Sequence, residues 1–116
     1  YFIKKDTRYF LLSFYFQYEN VIKSSICLTL LKNNSENLEL LAINNQKEET
    51  IRKFHNIKIE NNGITKNIIV NVYTESDIKQ GLERKEEYFI DLIKSSFILF
   101  DPDNFLLDKK AKINKL

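Results

Sequence analysis

The sequence predicts an all-β domain, an antiparallel β-sandwich of about seven strands. Three observations carry that prediction. Apolar residues alternate with others through residues 9–18 (YFLLSFYFQY) and again through 22–31, the period of a strand with one buried face. Asn62-Gly63 stands between two further apolar runs, where a two-residue hairpin turn belongs. Asp101-Pro102-Asp103-Asn104 closes the last long apolar block, in the arrangement favoured at the start of a type I turn.

In chain order, Phe10, Leu12, Phe14 and Phe16 share one face of the first expected strand, and Leu11, Ser13, Tyr15 and Gln17 the other. Glu19-Asn20 supplies a turn. Ile26, Leu28 and Leu30 then face inward on the returning strand, which makes residues 10–33 a hairpin. Residues 33–37 (NNSEN) are a loop by composition. Residues 37–43 read as a weaker strand, because Leu38, Leu40 and Leu41 break strict alternation. The polar run 44–50 reads as an exposed, mobile connection. With Asn62-Gly63 as the turn, Asn61 pairs with Ile64, Ile57 with Ile68 and His55 with Val70, so apolar meets apolar across the ladder. Residues 74–81 form a polar connection.

Residues 78–100 support two readings. Ile78, Leu82, Phe89, Ile93, Phe97 and Phe100 lie close to helical spacing, Ser76 or Asp77 is available as an N-cap, and 82–87 (LERKEE) are good helix formers. Against this, Tyr88, Ile90 and Leu92 alternate with Phe89, Asp91 and Ile93, and 94–96 (KSS) looks like a turn between strands. Strands belong to the sandwich. A helix over 78–100 gives the alternative, an α+β domain of five strands and a C-terminal helix that resembles a pleckstrin-homology-like module for lipid headgroups or peptides. In both cases Pro102 ends the block and residues 105–107 return to the core.

A chain of 116 residues makes one domain, expected over 1–108 with 109–116 as a basic tail or linker. It starts at Tyr1 without an initiator methionine, as a processed product or an excised piece does. The hydrophobic share of 43% and charged share of 29% are those of a globular chain. A net charge of +2 gives no general field for nucleic acid or anionic membrane. The longest apolar runs are too short to span a bilayer. Cys27, the one cysteine, excludes an internal disulfide and slightly favours an intracellular setting.

The groups that could carry chemistry each have a structural explanation. His55 lacks the partners of a zinc site or a triad and reads as a strand histidine. Asp101, Asp103 and Asp108 are not a calcium loop, since Phe105 and Leu106 occupy positions that need an oxygen ligand and a glycine. Glu83, Glu86 and Glu87 stand among Arg84 and Lys85 as a solvated surface. Cys27, within an apolar run, acts as a small hydrophobe. Lys4, Lys5, Arg8, Tyr9 and Tyr15 mix basic and aromatic residues without the glycines of an RNA-recognition strand. No residue is assigned to a catalytic, cofactor or metal site.

Residues 10–33, 51–76 and 84–107, with the ending ILFDPDNFLL, resemble the immunoglobulin-like β-sandwich that follows the catalytic domain of gluzincin-type zinc aminopeptidases. They also resemble its counterpart in the aminopeptidase-like subunit of general transcription factor IID. The resemblance implies an accessory domain without a catalytic motif, packed between other domains. The expected function is thus a non-catalytic interaction module of a larger protein, acting on other domains of its chain or on a protein partner.

Overall fold

The computed structural model describes residues 4–115, so the starting residue Tyr1 lies outside them. Helix α1 (Lys5–Gln17) buries Thr7, Phe10 and Phe14, which share one side at three- and four-residue spacing. The strand expected over 9–18 is therefore not formed. Of the four side chains assigned to its inner face, Phe10 and Phe14 are buried and Leu12 and Phe16 exposed. An aromatic-rich run satisfies both periods, and the surface it packs on decides between them. The short α2 (Glu19–Lys23) follows, with Ile22 buried.

Strand β1 (Cys27–Asn33) pairs antiparallel with β2 (Asn37–Ile43), Leu28 opposite Ala42 and Leu30 opposite Leu40. Asn34 Oδ1 holds the turn by accepting from the N–H groups of Glu36 and Asn37 at 3.0 and 2.8 Å. Where a mobile connection was expected stands α3 (Lys47–Lys53), with Thr50 buried. The Asn-Gly hairpin is formed in the register read from the sequence. It joins β3 (Ile57–Asn61) to β4 (Ile64–Tyr73), with Asn61 opposite Ile64 and Ile57 opposite Ile68. Asn62 and Gly63 take φ of 51° and 77°, the two positive values a type I′ turn requires. His55 precedes β3 and lies outside this ladder.

The expected connection at 74–81 is instead the start of α4 (Glu75–Glu83), and α5 (Glu87–Ser95) follows after a left-handed Lys85 at φ 55°. Thr74 caps α4. Its hydroxyl accepts from the Asp77 N–H at 3.0 Å, and the Asp77 carboxylate accepts from the Thr74 N–H at 2.9 Å. Strand β5 (Phe97–Phe100) pairs antiparallel with β1 and runs into the Asp101 turn, where the Asn104 N–H donates to the Asp101 carbonyl at 3.1 Å. Asp101 Oδ2 also accepts from the N–H groups of Leu106 and Leu107, at 3.1 and 3.0 Å, and so caps α6 (Phe105–Ile113). The stretch from Lys109 is helical through the buried Ile113.

The architecture is α+β: one open five-stranded sheet of order β3-β4-β2-β1-β5, with β2 and β4 parallel and the other pairs antiparallel. It is not a sandwich of two sheets, and the immunoglobulin-like kinship to the aminopeptidase and transcription-factor domains falls with that arrangement. Nor do residues 78–100 form the single helix of the pleckstrin-homology-like alternative, since they hold two helices and an added strand. The physical reason is a sheet covered on both sides. Phe10, Phe14, Ile22 and Phe54 pack with Leu28, Leu30, Leu38 and Leu40 on one face. Ile78, Ile93, Leu106 and Ile113 pack with Cys27, Leu41 and Ile43 on the other. Helices fill both layers, so no second sheet is needed.

Candidate functional site

Among the described residues, two places stand out as sites for a ligand. The first is the carboxyl ends of the adjacent parallel strands β2 and β4, where open α/β sheets commonly bind one. Here the chain fills the position itself. Asn45 Oδ1 accepts from the Glu75 N–H at 3.0 Å, and its amide donates to Glu75 Oε1 at 3.3 Å. Lys47 reaches Asp77 at 3.2 Å and lies 5.1 Å from the Tyr73 ring centroid. The Glu75 carboxyl is held below the usual range by Asn45 and then Lys79, and Asp77 by the Thr74 N–H. Both charges are already matched.

The second place is open. Helix α4 is built as an amphipathic helix, with Ile78 buried on the core and Leu82 one turn later beside it. Helix α5 turns Phe89, Ile90 and Ile93 the same way, and α6 contributes Leu106 and Ile113, seven residues apart. Where the three meet, Leu82, Ile90 and Ile113 line a cleft of about 420 Å³. Lys79, Lys109, Lys112 and Glu83 also line it. That size and an apolar lining with a few charged groups suit a small ligand or a short segment of another chain.

Its electrostatics are one-sided. Lys79 has a partner in Glu75 at 3.2 Å, and the Lys109 ammonium lies 5.3 Å from the Phe105 ring centroid. Lys109 is held below the ordinary lysine range, first by burial and then by repulsion from Lys112 and Lys79; Asp108 and Glu75 pull weakly the other way. Glu83 is the one carboxylate among the residues that line the cleft, against three lysines, so its rim carries an excess of positive charge. Lys110 points elsewhere, donating to the Ser96 carbonyl at 2.5 Å and fastening α6 to the end of α5. Burial pushes its ammonium below the usual range too.

The residues considered from the sequence are scattered. His55 is exposed in the loop before β3, and Asp103 and Asp108 are exposed at the start of α6. Asp101 is the α6 cap. Glu86 precedes α5 as its N-cap, and Glu83 alone of the glutamates reaches the cleft. Lys5, Arg8 and Tyr9 lie exposed on α1, whereas Tyr15 packs against the core. Among the described residues no three or more His, Cys, Asp or Glu side chains gather where they could hold a metal ion. No helix among the described residues is long and apolar enough to cross a membrane. The sequence reading missed Lys79, Leu82, Ile90, Lys109, Lys112 and Ile113 as a group. The signals were the helical spacing of Ile78, Leu82, Phe89 and Ile93, set against a strand reading there, and the Leu106–Ile113 spacing, which puts a helical stripe through a run otherwise read as a basic tail.

Cys27 is fully buried, as its apolar setting implied, and burial together with nearby Asp101 pushes its thiol up to about 12. In the unfolded chain the thiol ionises near 8.5, so above that pH the unfolded state loses its proton first. The stability held by Cys27 is therefore complete below about pH 8.5 and falls by up to about 1.4 kcal/mol per further pH unit. Urea midpoints for the chain and for Cys27→Ala should run parallel from about pH 6 to 8 and then converge as pH rises. Parallel curves to about pH 10 would show that the thiol is not shielded.

No family model matches this chain, and neither a curated protein nor a solved structure does.

Proposed function

We propose that this chain is a non-catalytic binding module acting through a protein partner, and that the α4–α5–α6 cleft receives an acidic segment of that partner carrying an apolar side chain. The observation behind this is the pairing of an apolar floor, Leu82, Ile90 and Ile113, with three lysines against one glutamate around a space of about 420 Å³. An apolar side chain placed on that floor gains roughly 25 cal/mol per Å² removed from water, which supplies most of the affinity. A carboxylate beside it relieves the repulsion that Lys112 and Lys79 exert on Lys109. Rim charge pairs are each worth only about 0.2–1 kcal/mol, so they select the sign of the partner and its register.

A labelled peptide of alternating aspartate and leucine, followed by fluorescence anisotropy, tests the reading. Saturable binding is expected, weakened at least about tenfold by Lys109→Glu with Lys112→Glu and weakened by added salt. A lysine–leucine peptide of the same length should not compete. Equal binding by the double variant, competition by the basic peptide, or retention by phosphatidylserine vesicles with no peptide binding would each remove the proposal.

A further inference from the structure

Helix α1 carries a second apolar face that none of the described residues covers. Tyr9, Leu12 and Phe16 are 49%, 56% and 71% exposed. At 100° per residue they fall within one narrow band, turned away from the buried Phe10 and Phe14. Lys5 lies in the same band one turn before Tyr9 and is exposed. At the other end, Phe16 and Glu19 line a common groove of about 450 Å³ with Tyr18, Val21 and Lys53. Glu19 is bridged to Lys23 at 2.7 Å, but both side chains are substantially solvated, at 42% and 58%, so that pair holds the carboxylate only weakly.

We propose that α1 pairs with α1 of a second copy of this chain, antiparallel, about a two-fold axis at Leu12. A two-fold contact requires one surface to complement itself. Residues i and 24 − i then face each other: Leu12 meets its own copy, and Arg8 meets Phe16. Lys5, about 10.5 Å along the helix from Leu12, is directed towards Glu19, which follows the end of α1 just past its cap at Tyr18. The aromatic ring of Tyr9 from one copy enters the groove beside Phe16 of the other. Antiparallel helices also set the positive N-terminal end of each against the negative C-terminal end of its neighbour. A different partner would have to reproduce this reversal of charge along the stripe, whereas a second copy supplies it by symmetry. One helix pair buries less than a standard interface, so the dimer is a weak one that forms at high micromolar concentration.

Sedimentation equilibrium of the 116-residue chain at about 1 mM tests this. The chain should be dimeric, and Phe16→Glu should be monomeric with an unchanged melting temperature, because that side chain is solvated. Lys5→Glu and Glu19→Lys should each weaken the dimer about threefold or more, and the double variant should recover most of the loss. The recovery is specific to the antiparallel arrangement. A monomeric parent chain, a dimeric Phe16→Glu, or a double variant as weak as the sum of its parts would overturn the proposal.

Discussion

Leu41→Ala is expected to lower the unfolding free energy by about 2–5 kcal/mol, and Leu40→Ala by a similar amount, although the two side chains point to opposite faces of the sheet. Neither side chain is exposed at all. Leu40 packs with Phe10, Phe14 and Phe54 under the α1 layer, and Leu41 with Ile78, Ile93 and Leu106 under the α4–α6 layer. Each truncation removes buried carbon and leaves a space its neighbours only partly fill. In a sandwich one of the two would face water and its loss would fall within about 0.5 kcal/mol. Urea denaturation of both variants separates the cases. A near-neutral Leu41→Ala would mean that the α4–α6 layer does not seat on the sheet.

Gly81→Ala is the second large effect, and its sign runs against helix propensity. Alanine improves on glycine by about 1 kcal/mol in the interior of an exposed helix. At position 81, however, an added Cβ would lie 2.4 Å from Phe89 Cδ2 and 2.6 Å from Phe89 Cγ. Those are body atoms of a ring packed against the α4–α6 core cluster and set edge-on to Tyr73, whose ring centroid is 5.3 Å away. The ring cannot swing away freely, so α4 and α5 must separate. Overpacking of this kind costs typically 1–3 kcal/mol, and a net loss of about 1–2 kcal/mol is expected after the propensity gain. The same loss should open the cleft, since Leu82 and Ile90 adjoin the contact. Combining Gly81→Ala with Phe89→Leu should recover part of it. A melting temperature raised by Gly81→Ala would show that α4 and α5 are farther apart than this contact requires.

Local chemistry made some of this fold legible and left the rest out of reach. Asn62-Gly63 specified its turn and its register through backbone preference alone, so β3 and β4 could be read residue by residue. Asp101-Pro102 likewise marked the end of β5, though not that Asp101 would cap the next helix. The central strands were harder for a physical reason. A strand buried on both faces has no polar side, so residues 38–43 (LELLAI) lose the alternation that identifies a half-buried strand. That loss is itself the sign of a sheet covered on both faces, a role that helices fill here. The aromatic run of α1 carried the opposite trap, a period-two pattern in a segment whose buried members are Thr7, Phe10 and Phe14. The break between α4 and α5 falls at Lys85, a left-handed residue that is neither glycine nor asparagine, so no local signal announced it. The cleft depends on three helices meeting, and only the spacing of Ile78, Leu82, Phe89 and Ile93 and that of Leu106 and Ile113 lay within reach of a sequence reading.

The placement of β5 outside β1, with Leu30 opposite Phe97, bears on how this chain is made. While the ribosome is still adding residues, β1 and β2 can close as a hairpin, but the outer rim of β1 stays bare until Phe97–Phe100 has emerged. A nascent polypeptide halted before that point presents a greasy ribbon with unmatched amide groups, the kind of rim that recruits other unfinished chains. The emergence of β5, rather than any single tight turn, is therefore the event that closes that rim, and Phe97–Phe100 act as its clasp.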